Sequence, residues 1–326
     1  MNRLRSYRRI EGVSQTELGQ LLRISPQLVS AIESGRRTLT VSLEPLGYGA
    51  GREEIPEMTE PLHRQRSTTR VSSTRRAKEL LRLAGEVFLE LAAETPKAPT
   101  NRLERLDPAE SEAEIGERAT EVRCAVLDQE ESGPIKNLTA AIERAGIVLV
   151  PIVGLDGIDG LSSWVNGQPV IGLNVAVPGD RFRFSLAHEV AHLVLHTKKG
   201  ETSEKEANRF ASALMMSDEE FELAMPERPV LRDFIELKAT WGISVAALVY
   251  RARQFDYIDD KRYRSLQIQM SKWRRNEPGE FAPVFGRLLP QLVEANGGVQ
   301  SVSAGLGLNA GHLSEVTSWS HLRVVR

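Results

Sequence analysis

Residues 184–196 read Phe184-Ser-Leu-Ala-His188-Glu189-Val-Ala-His192-Leu-Val-Leu-His196. Residues four apart on a helix face the same way, so the imidazoles of His188 and His192 can converge on one ion. Phe182, Leu186, Val190, Leu193 and Val194 supply an apolar helical face. A catalytic zinc takes three protein ligands and keeps a fourth position for water. His196 lies four residues further on, but ~12 Å of helix rise separates it from His188, too far for both to bind one ion. It is expected to pack or to cap the helix end.

The third ligand must then come from another helix, and residues 201–215 start one. Ser203 is read as its N-cap and Glu206 as the capping-box partner three residues on. If Glu206 is spent on the cap, Glu204 is available to ligate; Glu206 is the competing ligand. Asn208 lies four residues beyond Glu204 on the same face, where it could orient a ligand histidine. Tyr250, Arg251 and His312 are candidates for stabilising an oxyanion.

Upstream, the short β-branched run from Ile147 to Val153 reads as a buried strand. Leu161–Val165 and Pro169–Asn174 flank Asn166-Gly167, a two-residue hairpin signal. The strand around Val170–Asn174 could hold an extended peptide by β-augmentation. Helical spacing predicts helices over Arg75–Thr95, Glu112–Glu131, Ile135–Ala145 and Phe281–Val299. Val299–Val316 faintly echoes a helix-turn-helix, but Gly305, Gly307 and Gly311 weaken it, and a three-helix packing module is expected there.

Residues 2–37 read as helix, turn, helix. Ser14-Gln15-Thr16-Glu17 fits a capping box, opening a helix with Leu18, Leu21 and Leu22 on one face. Ser25-Pro26 is a second start signal, an N-cap followed by proline at the first helical position. The second helix buries Val29 and Ile32 and stops at Gly35. Two short helices about a tight turn let the second enter a major groove. Gln27 and Ser30 lie off the buried face, where base edges are reached. Gln15, Arg36 and Arg37 are placed for phosphates. The DNA reading assumes a homodimer on a two-half-site operator.

The stretch SQTELGQLLRISPQLVSAIESGRRTL resembles the Cro/repressor-type (XRE) helix-turn-helix family over about the first forty residues. That family's fifth helix is matched poorly by residues 41–49, which contain Pro45, Gly47 and Gly49. FSLAHEVAHLVLH followed by EKEANRFASALMM resembles the ImmA/IrrE metallopeptidases, from about Ile135 through Pro278. That resemblance implies a thermolysin-type zinc core, with ligands at His188, His192 and Glu204 and Glu189 as base. It also implies cleavage of a helix-turn-helix repressor.

The 326 residues carry a net charge of −2, so total charge alone points to no nucleic-acid or membrane partner. The distribution is uneven. Residues 1–40 balance at +4, residues 63–78 hold six cations and no acid, and residues 79–131 swing to −8. Such asymmetry points to nucleic acid better than the total does. One cysteine, Cys124, excludes an internal disulfide framework. No secretory h-region or membrane-length apolar run is seen, so a cytoplasmic protein is expected.

The fold class expected is α+β: an all-α head, a mainly helical zincin-like domain with a small sheet, and a helical C-terminal module. The segments expected are a head (1–46), a linker and helical segment (47–132), a metallopeptidase domain (133–278) and a C-terminal module (279–326). The function expected is a regulatory zinc endopeptidase with a DNA-binding head, acting on a repressor or antitoxin-type partner. The alternative is a DNA-binding regulator whose metallo-domain senses metal or a ligand without proteolysis.

Overall fold

A computed structural model describes residues 2–61, 71–129, 131–154, 158–198, 200–273 and 277–319. The first half comprises α1 (Arg3–Glu11), α2 (Gln15–Leu22), α3 (Pro26–Glu33), α4 (Val71–Glu94), α5 (Glu112–Glu121) and α6 (Leu138–Arg144). A sheet follows, of β1 (Val148–Ile152), β2 (Gly160–Val165) and β3 (Gln168–Asn174). Next come α7 (Gly179–Leu195), α8 (Ser203–Met215), α9 (Asp218–Ala224), α10 (Leu231–Trp241), α11 (Val245–Gln254) and α12 (Asp260–Ser271). The chain continues as α13 (Leu288–Ala295), α14 (Gly298–Leu306) and α15 (Ala310–Thr317). Helices dominate and the sheet is small, so the class is α+β. No helix among the described residues is long and apolar enough to cross a membrane.

Contacts divide the chain into two units that do not follow linear segments. Met1–Asn101, Gly146–Val175 and Gly286–Arg326 form one; Arg102–Ala145 and Ala176–Phe285 form the other. In the first, α4 is the central element. Its Ala77, Leu80, Leu81, Ala84, Val87 and Phe88 are buried, and it packs against α1, α13, α15 and the sheet. Gly85 lets β2 approach closely, since a Cβ there would lie 2.7 Å from the Val165 Cβ.

The sheet order is β1-β3-β2, with β1 parallel and β2 antiparallel to β3. Asn166 and Gly167 both have positive φ (45° and 81°), the primed-turn backbone that matches strand twist. β3 is thus paired along both edges, which removes the expected docking of a peptide strand on Val170–Asn174. The outer edge of β2 is met by residues 57–59, with Thr59 N–H donating to the Trp164 carbonyl at 3.0 Å.

The expected linker from Gly47 begins inside this unit's core. A 3₁₀ turn over Glu44–Leu46 stands where a fifth helix would, and Tyr48 behind it is buried. The Leu46 carbonyl accepts from Asn309 Nδ2 at 2.8 Å, and Tyr48 Oη meets His312 Nδ1 at 2.8 Å. The α14–α15 pair has helix-turn-helix proportions, but His312, Leu313, Val316 and Thr317 of its second helix are buried. This is a packing module. Of the basic stretch 63–78, Arg64, Arg66 and Arg70 lie outside the described residues.

In the second unit α8 packs on α7 and α5, and Phe182, Leu186, Phe210, Leu214, Phe221 and Phe234 are buried. The predicted helix Glu112–Glu131 stops early: α5 passes into a π turn over Val122–Val126, and Asp128 takes a positive φ. The predicted helix Phe281–Val299 is also shortened. Residues 281–285 run without helix, tied by Gly179 N–H to the Phe281 carbonyl (2.8 Å) and Thr139 Oγ1 to the Val284 carbonyl (2.7 Å). In the first unit that predicted helix is interrupted after Ala295, where Gly297 and Gly298 both take positive φ.

Candidate metal centre and nucleic-acid face

α7 presents His188 and His192 one turn apart, their Nε2 atoms 3.1 Å from each other. Glu204, in the first turn of α8, brings its carboxylate to both imidazoles, with Oε2 3.6 Å from His188 Nε2 and Oε1 3.9 Å from His192 Nε2. One ligand atom from each residue fits within 4.8 Å of the others. Two nitrogens bound to one tetrahedral zinc at ~2.0–2.1 Å sit ~3.3 Å apart, so the spacing suits that ion.

The chemistry of the donors fits as well. His188 Nδ1 lies 3.0 Å from Asn208 Oδ1, an oxygen that only accepts, so the imidazole proton sits on Nδ1 and the lone pair on Nε2. His192 directs its own Nε2 to the same point. Two imidazole nitrogens and a carboxylate oxygen facing one another make a place for a cation. Glu189, one residue after His188, is 3% exposed.

Glu206 faces elsewhere. Its carboxylate meets His196 Nε2 at 2.8 Å, and His196 Nδ1 meets His192 Nδ1 at 3.0 Å. Burial pushes the Glu206 carboxyl up, but bonds from Thr202 and His196 outweigh it and hold the group below the usual carboxylate range. The cap read from the sequence differs in detail. Thr202 occupies the N-cap position of α8, Ser203 is its first residue, and Ser203 Oγ accepts from Gly200 N–H at 2.8 Å. Glu206 is therefore committed to His196 and Thr202, not to a box with Ser203. His196 sits at the end of α7 in extended conformation, between His192 and Glu206. Its position beside a ligand candidate was not anticipated, although its four-residue spacing from His192 was visible.

Two oxyanion candidates are occupied. Arg251 is buried and donates to the Met216 carbonyl (2.6 Å) and to Asp218 Oδ1 (2.6 Å), with burial pushing its pKa down to about 10. His312 is held in the first unit between Tyr48 and Glu11. Tyr250 is exposed.

In the head, the Ser14/Glu17 capping box forms, and Ser25 Oγ accepts from Leu28 N–H at 3.2 Å above Pro26. Residues 23–25 make the turn. Arg23 is left-handed, and Ile24 N–H donates to the Gly19 carbonyl at 2.9 Å. A Cβ on Gly19 would lie 2.7 Å from the Ile24 carbonyl oxygen, a requirement that apolar spacing does not reveal. Leu18 and Leu22 are buried, but Leu21 is 49% exposed, so the buried face is narrower than expected.

Gln27, Arg36 and Arg37 are exposed and Ser30 is half-buried. Arg36 Nε donates to Ser34 Oγ at 2.9 Å just past the end of α3. Gln15 is half-buried, its Nε2 donating to Glu33 Oε2 at 2.9 Å, while Arg8 grips the same carboxylate through two nitrogens at 2.6 and 2.9 Å. Burial raises the Glu33 pKa, but Arg8 and Gln15 lower it more. This clasp joins α1, α2 and α3.

Residues 142–253 match the model of a peptidase family described as the IrrE N-terminal-like domain. Residues 2–44 match a helix-turn-helix domain. No curated protein matches the chain. The peptidase match takes in the sheet and α7 to α11 and so contains His188, Glu189, His192 and Glu204.

Proposed function

We propose that this chain, which joins a helix-turn-helix head to an IrrE N-terminal-like peptidase domain, is a cytoplasmic DNA-binding regulator that acts as a zinc endopeptidase. Its substrate class is a helix-turn-helix repressor or an antitoxin-type partner. The observation carrying this reading is the convergence of His188, His192 and Glu204 on one point, beside Glu189 on the same helix.

His188, His192 and Glu204 would hold the ion, with Asn208 orienting His188. Zinc, when bound, supplies Lewis acidity that acidifies water and polarises a peptide carbonyl. Glu189 takes the proton from the attacking water and delivers it to the leaving nitrogen, a role worth ~10²–10⁴-fold. In the head, Gln27 and Ser30 face base edges, whereas Gln15, Arg36 and Arg37 face phosphates, with a homodimer spanning two half-sites.

Metal analysis of purified full chain, followed by cleavage assays against candidate repressors, tests the reading. Glu189→Gln should retain zinc, because Glu189 is not a ligand, and lose both proteolysis and derepression in cells. A Glu189→Gln protein that regulates normally overturns catalysis and leaves a regulator that senses metal or a ligand.

A further inference from the structure

We infer that Glu206 and His196 form a tautomer lock that turns the Nε2 lone pair of His192 toward the metal point, making both of them positioning residues. The inference rests on the zinc reading of His188, His192 and Glu204 and adds residues that do not touch the ion.

The Glu206 carboxylate only accepts, so the contact at 2.8 Å requires the hydrogen on His196 Nε2. His196 Nδ1 lies 3.0 Å from His192 Nδ1, and only one of two facing nitrogens can carry the hydrogen between them. On the zinc reading the His192 lone pair is on Nε2, so its hydrogen is on Nδ1 and His196 Nδ1 accepts it. His192 Nε2 is the atom that faces His188 Nε2 at 3.1 Å and Glu204 at 3.9 Å. His192 and His196 are both buried, so each ring hydrogen needs a partner in the protein. One carboxylate at the surface of α8 thereby dictates, through two rings, which nitrogen of a ligand candidate is available. On the other ligand Asn208 does the same in a single step. Reversing the chain of protons would put a hydrogen on His192 Nε2 and close that position to a cation.

Two measurements on the full chain test this. Nitrogen-15 NMR of histidine-labelled, zinc-free protein at about pH 7.5 reads the tautomer directly, and His192 is expected protonated on Nδ1. Zinc affinity by chelator competition reads the consequence. Outer partners of metal-bound histidines typically contribute about 10–100-fold. Glu206→Leu and His196→Leu should each weaken zinc by about that range, whereas Glu206→Gln, whose amide oxygen still accepts from His196 Nε2, should bind zinc close to wild type. The double variant should be no weaker than His196→Leu alone, because Glu206 acts only through His196.

A His192 protonated on Nε2 in the wild type, or single costs that multiply in the double variant, would overturn the lock. His196→Leu binding zinc as tightly as wild type would do the same. A wild type that shows the Nδ1–H tautomer yet takes up no zinc sustains the lock and sinks the zinc reading, so the two failures are distinguishable.

Discussion

Glu204 and Glu206 are two residues apart on α8, and at 3.6 residues per turn they leave the helix in different directions. Glu204 reaches toward the two Nε2 atoms and Glu206 toward His196. The sequence shows two equivalent carboxylates in a first turn, and cap chemistry alone assigns Glu206 to a partner it does not have. What separates them is where α7 ends, which depends on packing between helices and not on spacing within one. By contrast, the four-residue step from His188 to His192 is intrahelical, so the structure reproduces that juxtaposition. Glu204→Gln should replace a charged donor with a weak one and lower zinc affinity by more than about 100-fold, beyond the usual effect of an outer partner. Chelator competition measures it, and full zinc retention in that variant would move the ligand to Glu206.

Elements were legible where one local signal decides them. Asn166-Gly167 fixes the hairpin, Ser14 and Glu17 fix the start of α2, and Ser25-Pro26 fixes α3. They were misread where apolar spacing continued past a backbone break, as at Gly297-Gly298. The burial of α15 is a long-range outcome of this kind. Its His312 accepts or donates at both ring nitrogens, to Tyr48 and to Glu11 at 2.7 Å, although burial lowers its pKa from 6.5 more than Glu11 raises it. Glu315 and Arg76 are the other charges facing the ring. With the folded value below the unfolded one, the unfolded chain binds more protons as pH falls past 6.5, so stability is present above that pH and lost below it. The slope is at most about 1.4 kcal/mol per pH unit for one proton. Thermal melts of the full chain between about pH 7.5 and 5.5 should show the loss, and His312→Gln should flatten it while lowering the melting temperature at pH 7.5. An unchanged slope in that variant would exclude His312 as its source.

At the scale of the whole molecule, net charge conceals function: a total of −2 coexists with a balance of +4 over residues 1–40. Assembly was the least legible feature, because neither unit is a continuous stretch and no local pattern encodes which distant segments share a core. The head illustrates it, since Leu46 and Gly49 are bonded to Asn309 and Gly307 from the far end of the chain. DNA binding should therefore be measured on the full chain and not on a head fragment, which would lose those bonds. Each phosphate contact releases condensed counterions, so the plot of log affinity against log salt steepens by ~0.9 per contact. Arg36 and Arg37 follow the C-terminal end of α3 and are exposed. Replacing both with Ala should weaken binding to every DNA sequence and flatten the slope by up to roughly two. Gln27→Ala, on the exposed side of α3, should leave the slope unchanged and cost about 1–3 kcal/mol only at the preferred site. Salt titrations on selected and scrambled duplexes separate the two. A double arginine variant with the wild-type slope would remove these residues from the phosphate contacts. Salt-independent behaviour of the wild type would make the head a protein-contact module.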